Sequence, residues 1–343
     1  MRLNRLSIVI PCYNEEACLE QLHSRVAAAA KLAVGNAYEI VLINDGSRDR
    51  SWSVMQALAE RDPHVLAINL SRNHGHQLAL TAGLDLCSGE AILIIDADLQ
   101  DPPELLSDMM GVMTAENADV VYAVRRRREG ETLFKKTTAA IFYRILASVT
   151  DTMIPVDTGD FRLMSRRALD ALLALPEQAR FVRGMVAWIG FKQVPFSYDR
   201  AERLVGETKY PLGKMVRFAL DAVTGFSTAP LRFATHMGLG LAAASLLLLF
   251  YVGYGWLSGR AIEGWTSLML VVVVLGSVQM FVLGMIGEYL GRLYMEAKRR
   301  PLYIVSDIAG EAGGQRRLGH VAAQAETMAS SDTPGGIGTR PIK

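Results

Sequence analysis

The strongest constraint on this chain is a pair of uncharged stretches. From Phe233 to Gly259 there is no Asp, Glu, Lys or Arg, and the same holds from Gly264 to Gly287. Each is longer than the roughly 20 residues a helix needs to cross about 30 Å of hydrocarbon. Inside a bilayer every backbone polar group has to be paired within the segment, so both stretches are expected as helices, over about 233–258 and 265–288. Little more than Ser258 to Glu263 separates them, which implies a tight antiparallel hairpin within 231–292. Two buried core helices would need a surrounding domain that the rest of the chain does not supply. Arg217 and Arg232 precede the first stretch, and Arg292, Lys298, Arg299 and Arg300 follow the second, against Arg260 alone between them. That bias predicts a multi-pass membrane protein with both termini cytoplasmic.

Outside the hairpin the composition is that of a globular enzyme-sized domain with tails. A net charge of +1 gives no reason to invoke nucleic acid, which would demand a clustered basic face. Cys12, Cys18 and Cys87 are odd in number and lack metal-type spacing, which fits a reducing compartment and core packing. The first residues run directly into Leu6–Ile10 and Pro11 with no apolar leader or small-residue cleavage site, so no signal peptide is expected.

Short apolar, β-branched runs recur at Leu6–Ile10, Tyr38–Ile43, Val65–Leu70, Ala91–Ile95 and Val120–Val124, with helical apolar spacing between them. This alternation predicts an α/β domain over 1–209 built of βα units around a mostly parallel, buried sheet. Most runs end in polar or turn-forming residues, at the strand ends where open α/β sheets bind ligands. Residues 210–230 mix apolar and charged positions, as an interfacial amphipathic helix or an ordinary surface helix would. Beyond the spans, 293–305 is basic with a strand-like piece at Leu302–Val305, and 306–343 has the composition of a disordered tail. Gly284, Gly287 and Gly291 would permit close helix contact and a homo-oligomer, although glycines are common in spanning helices.

Asp96-Ala97-Asp98-Leu99-Gln100-Asp101-Pro102-Pro103-Glu104 carries the most chemistry. At the end of an extended strand, side chains two apart share a direction, so Asp96, Asp98 and Gln100 present three oxygen donors together. Such hard ligands suit Mg²⁺ or Mn²⁺ and leave positions open for diphosphate oxygens. Asp101 before Pro102 reads instead as the N-cap of a helix. His74 and His76 invite a zinc reading, which the lack of a completing acid or cysteine nearby sets aside.

These segments, with Ile8-Val9-Ile10-Pro11-Cys12-Tyr13-Asn14-Glu15-Glu16, Asn44-Asp45-Gly46-Ser47, Ser71-Arg72-Asn73-His74-Gly75-His76-Gln77 and Gly159-Asp160-Phe161-Arg162-Leu163, resemble the polyprenyl-phosphate glycosyltransferases of glycosyltransferase family 2. The resemblance covers almost all of 5–305 and includes bacterial bactoprenyl glucosyltransferases and dolichyl-phosphate mannose synthases. It implies a GT-A (Rossmann-like) fold and inverting transfer of one sugar from a nucleotide diphosphate to a polyprenyl phosphate at a bacterial plasma membrane. UDP-glucose is the expected donor, with GDP-mannose or another UDP-sugar as the alternative. The resemblance places Pro11, Tyr13, Asn14, Glu15, Asp45, Arg72, Asn73, Asp96, Ala97 and Asp98 around the nucleotide sugar, and Asp96, Asp98 and Gln100 at the metal. Arg125, Arg144 and Ser148 become candidates for the acceptor phosphate, with Arg203 or Lys209 reaching phosphates from a mobile segment. Cys12 stands where the family often has Ala, Val or Ser.

A lipid monophosphate is already ionised at neutral pH, so its attack needs cations more than a general base. Asp160 therefore reads as a base or, preferably, as a residue that orients Arg162 and the sugar. Arg126 to Arg128 read equally as a solvated loop or a lipid-headgroup contact. A processive polysaccharide synthase is disfavoured because Gln178-Ala179-Arg180-Phe181-Val182 places its Arg and aromatic one position earlier than the acceptor motif of such enzymes. A non-catalytic nucleotide-sugar-binding scaffold is the reading from a different class.

Overall fold

Strands Leu6–Cys12 (β1) and Tyr38–Asn44 (β2) are buried along their whole length, because each is covered on both faces. The computed structural model describes residues 5–125, 158–199, 229–258 and 264–310. After β2 come Val65–Leu70 (β3), Ala91–Ile94 (β4), Val120–Arg125 (β5), Thr158–Ser165 (β6), Gln193–Tyr198 (β7) and Val305–Ala309 (β8). The helices are Leu19–Val34 (α1), Ser51–Arg61 (α2), His76–Leu86 (α3), Leu106–Ala115 (α4), Arg166–Leu173 (α5), Val182–Trp188 (α6), Ala229–Leu257 (α7) and Trp265–Ala297 (α8), with a 3₁₀ turn at Pro103–Leu105.

Parity assigns the two faces of the sheet. Leu6, Ile8, Ile10 and Cys12 of β1 join one core with Leu19, Leu22 and Val26 of α1, Met55 of α2 and Met109 of α4. Val9, one residue out of phase, faces α3, which packs so closely that a Cβ on Gly83 would sit 2.5 Å from both Val9 and Ile43 side-chain carbons. The eight strands form one sheet in the order β7-β5-β6-β4-β1-β2-β3-β8.

The sheet is mixed rather than mostly parallel. β1 pairs in parallel with β2 and β4, β2 with β3, and β5 with β7, while β6 runs antiparallel to β4 and β5, and β8 antiparallel to β3. β6 had no apolar run to mark it, since Asp160 and Arg162 interrupt Phe161 and Leu163. The C-terminal strand lies later than the expected Leu302–Val305, and it takes 306–309 out of the predicted tail. Asp101 is not a helix cap: the 3₁₀ turn begins at Pro103 after Pro102, and Asp101 is buried, accepting the Tyr198 hydroxyl.

The chain divides into two compact units, one holding the sheet and the other α7 and α8. Among the described residues one helix, α8, contains a stretch, Val271–Ala297, long and apolar enough to cross a membrane. It carries exposed Val272, Val273, Phe281 and Leu290 and continues beyond the expected end at 288. The other expected span falls on α7, a helix of 29 residues with exposed Leu246, Leu247 and Phe250. A Cβ on Gly284, Gly287 or Gly291 would meet nothing within 4 Å, so these glycines make no close contact among the described residues. The predicted interface segment lies outside the described residues except for Ala229 and Pro230, which belong to α7.

Candidate active site

Four adjacent strands, β3-β2-β1-β4, run parallel, and the order reverses between β1 and β4. At such a switch point the connections leave in opposite directions and open a crevice beyond the carboxyl ends of the strands. Pro11 marks where it opens. Val9 accepts the Ile95 N–H through its carbonyl, so Val9, and Pro11 two residues on, direct their backbone groups toward β4. Pro11 cannot donate the next bond toward β4, and the ladder ends there, with β4 assigned only to Ile94.

The loops around the crevice are laced by side chain to backbone bonds. Asn14 donates its N–H to Ser47 Oγ at 2.9 Å and accepts the Arg48 N–H at 2.8 Å, while Glu15 N–H reaches Ser51 Oγ at 2.9 Å. Asn14 adopts φ +56°, which its short polar side chain tolerates. Asp45 accepts the N–H groups of His74 and Gly75 at 2.7 and 3.0 Å, tying the β2 loop to the β3 loop. Burial raises the Asp45 carboxyl above its ordinary value, against the pull of those two N–H groups. Gly46 lies between these loops at φ +63°, and a Cβ there would fall 2.5 Å from the backbone of Arg72 and Asn73. Tyr13, Arg72 and Asn73 are exposed at the rim, whereas Pro11 and Ala97 are buried beneath it.

β4 stops before the acidic motif, and Ala97 and Asp98 form a turn, so period two does not align Asp98 with Asp96. Asp98 Oδ1 accepts the Gln100 N–H at 3.2 Å. Leu99, buried, sits at φ +60°, a conformation costing roughly 1–2 kcal/mol for a residue with a Cβ. Asp96 turns toward α3 and β6 instead: one donor atom from each of His76, Asp96 and Asp160 lies within 4.8 Å of the others. Acids distant in sequence therefore do complete a set with His76, contrary to expectation. Asp96 Oδ1 is buried and has no hydrogen-bond partner among the described residues, and His76 Nε2 stands 3.7 Å away. Burial, opposed by His76 and reinforced by Asp160, Asp101 and Asp98, pushes the Asp96 carboxyl up to about 6.

Asp160 is in the opposite condition. Arg183 of α6 donates to both its oxygens at 2.8 and 3.1 Å, His76 Nε2 lies 3.0 Å from Oδ2, and Gln77 Nε2 donates to Oδ2 at 3.3 Å. Burial works to raise its pKa, but His76 and Arg183 overcome this and hold Asp160 well below the usual carboxylate range. His76 responds in kind: burial disfavours its charge, yet Asp160 and Asp96 raise it above the ordinary histidine value. Arg162 is buried and spends its guanidinium on the carbonyls of Gly159 and Asp160, bracing the strand that carries Asp160. Burial lowers it to about 10.

Gln77 and Arg183 are not among the site residues expected from the sequence. Gln77 joins the two, donating to Asp160 while accepting the Val182 N–H at 3.0 Å. Arg125 ends β5 beside the same strand, its Nη2 3.5 Å from where a Gly159 Cβ would sit. Arg144, Ser148, Arg203, Lys209 and Arg126 to Arg128 lie outside the described residues. What converges on the crevice is thus an under-compensated carboxylate, a charged carboxylate with its cations, and a rim of backbone and polar groups. Such a site can hold a divalent cation and a polyanion together.

Comparison with known proteins agrees. The model of the family described as glycosyl transferase family 2 matches residues 7–173. The uncharacterized glycosyltransferase YkcC of Bacillus subtilis (strain 168) is 48% identical over 305 residues, spanning 89% of this chain and 94% of that protein. A prophage bactoprenol glucosyl transferase homolog of Escherichia coli (strain K12) is 38% identical over 311 residues, spanning 89% and 99%. The bactoprenol glucosyl transferase of Shigella phage SfV is 38% identical over 310 residues, spanning 88% and 98%. With relatives this similar along nearly their whole length, and with a GT-A-like mixed α/β sheet, the chain belongs to glycosyl transferase family 2.

Proposed function

We propose that this glycosyltransferase moves one hexose, from UDP-glucose, to a polyprenyl phosphate at the cytoplasmic face of a bacterial plasma membrane, with inversion at the anomeric carbon. The observation that carries the reading is Asp96, whose buried Oδ1 lacks a hydrogen-bond donor among the described residues at the carboxyl end of β4. A buried carboxylate oxygen left without a donor is costly, even with the His76 ring 3.7 Å away, and is tolerated where a ligand completes it. Asp96 at the strand end, with Asp98 and Gln100 brought in from the turn that follows it, would hold Mg²⁺ or Mn²⁺, as hard oxygen donors do. The alternative set, His76 with Asp96 and Asp160, would have to break the Arg183 and His76 pairs of Asp160. The ion, when bound, would supply Lewis-acid neutralisation of the donor diphosphate.

The chain's own residues then position the reactants. Tyr13, Asn14, Glu15, Asp45, Arg72 and Asn73 line or brace the rim where the nucleotide would lie. Asp160 is held too firmly ionised to be an effective base at neutral pH, which supports an orienting role. The acceptor phosphate brings its own negative oxygen, and Arg125 with Arg144, Ser148, Arg203 and Lys209 is the proposed set that offsets repulsion between the two anions. The relatives named as bactoprenol glucosyl transferases support glucose and a polyprenyl acceptor. α8 is the proposed anchor, with α7 as the second half of a hairpin and 210–230 at the interface.

The test is to incubate membranes containing the protein with radiolabelled UDP-glucose, GDP-mannose or other UDP-sugars and extract the lipid. Label in a lipid that releases it in mild acid is expected with UDP-glucose. Label only in polymer would sink the reading, and intact UDP binding without transfer would favour a scaffold.

A further inference from the structure

The chain that follows α8 rejoins the sheet, and two neighbouring residues there grip both ends of a single segment. Ile304 accepts the Ser71 N–H through its carbonyl at 2.9 Å. Tyr303 donates its hydroxyl to Asp85 Oδ2 at 2.7 Å. Ser71 begins the β3–α3 connection, and Asp85 lies in the last turn of α3. Between them are Arg72 and Asn73 at the rim, the His74 and Gly75 amides that Asp45 holds, and His76 and Gln77 at Asp160.

These contacts go beyond what closing a sheet edge requires. The β3–β8 ladder already pairs Ala67 with Ala309, Ile68 with Ile308 and Asn69 with Asp307. The register then shifts, Leu70 pairing with Val305, so that Ser306 is the extra residue of a bulge whose hydroxyl donates to the Asn69 carbonyl at 3.1 Å. Bulges turn a strand, and this one lies where β8 meets the carboxyl end of β3. Tyr303 is only 4% exposed, whereas Leu302 before it is half-buried and Ile304 after it is exposed. The burial is concentrated on the one ring whose hydroxyl reaches α3.

We infer that Tyr303 and Ile304 are positioning residues for the donor, holding the Ser71–Gln77 connection and α3 in the arrangement that receives the nucleotide. The inference rests on the proposed reading that Arg72 and Asn73 meet the donor. A connection fixed at both ends binds without first being ordered, whereas a loosened one is competent only part of the time and loses affinity in proportion.

The experiment uses full-length protein in detergent, with UDP and Mn²⁺ as the probe in calorimetry. Tyr303→Phe keeps the ring and removes the hydroxyl. Its UDP Kd and donor KM are expected to rise roughly three- to tenfold, with kcat at saturating donor within about twofold of wild type. Hydrogen exchange at the 71–75 amides should accelerate while β1 amides stay as protected as before. Asp85→Asn leaves an acceptor for the hydroxyl and should remain near wild type, whereas Asp85→Ala should match Tyr303→Phe. Unchanged UDP affinity in Tyr303→Phe, or exchange that accelerates equally across the sheet, would overturn the inference. Asn73→Ala separates the two levels: if it leaves UDP affinity intact, the donor reading of the connection fails and the inference falls with it. If Asn73→Ala weakens UDP while Tyr303→Phe does not, the donor reading stands and only the inference fails.

Discussion

Arg183 can be removed without touching the strand that carries Asp160, so it separates the charge state of that carboxylate from its placement. Arg183→Ala leaves His76 and Gln77 on Asp160 but strips away the bidentate partner. Breaking a buried pair from one side costs several kcal/mol, and because Arg183 is about a third exposed, a loss of about 2 kcal/mol in stability is expected. The kcat/KM for transfer should drop on the order of a hundredfold, and much less in an Asp160→Asn background, which a double-mutant cycle would measure. Asp96 predicts the opposite sign for stability. Its folded pKa of about 6 exceeds its ordinary value of 3.8, so the folded protein binds more protons between those values and loses stability as pH rises through them. In EDTA at pH 8, Asp96→Asn should therefore stabilise the protein by about 1–3 kcal/mol, with no gain below pH about 3.8. Thermal melts across pH test this, and a destabilised variant at pH 8 would show that Asp96 is compensated after all. Asp96 was legible in the sequence because its motif is local. The company it keeps was not, since His76 and Asp160 are 84 residues apart and Asp160 and Arg183 a further 23, with no motif joining them.

Between elements, the site depends on the approach of two loops whose backbones leave no room for a side chain between them at Gly46. Gly46 permits it twice over, by its φ of +63° and by the missing Cβ that would strike the Arg72–Asn73 backbone. Gly46→Ala should cost about 1–3 kcal/mol and weaken UDP binding more than tenfold, because backbone cannot swing aside as a flexible side-chain end can. A variant with wild-type UDP affinity would mean that the two loops can separate without harming the crevice. The first four strands were readable because buried parallel strands are written as continuous apolar runs, as Leu6–Ile10 and Ala91–Ile94 are. β6 was not, because the strand that completes the site has to carry Asp160 and Arg162 through the sheet, and those residues erase the pattern. β8 was misplaced by a few residues for a related reason. Ser306 and Asp307 look like tail composition, and pairing with β3 rather than propensity makes them strand.

At the scale of the molecule, connectivity bears on the membrane reading. β8 pairs with β3, so the chain on both sides of α7 and α8 belongs to one folded sheet. If α8 crosses a bilayer, the chain has to cross an even number of times to bring β8 back to the side on which β1 to β7 fold. α8 alone would strand β8 opposite its partner. α7, with 29 residues and about 1.5 Å of rise for each, is long enough to supply the other crossing. Its uncharged run from Phe233 is consistent with that role. The proposed hairpin therefore predicts that position 260 and the C-terminal tail face opposite sides. Arg260→Cys and Ser330→Cys test this with a membrane-impermeant maleimide, against a low background because Cys12, Cys18 and Cys87 are all buried. Labelling of Arg260→Cys in intact cells, and of Ser330→Cys only after permeabilisation, is the expected outcome. Protection of both until the cells are opened would mean that neither helix carries position 260 across, and the site would then have to reach its lipid acceptor from a surface-bound protein.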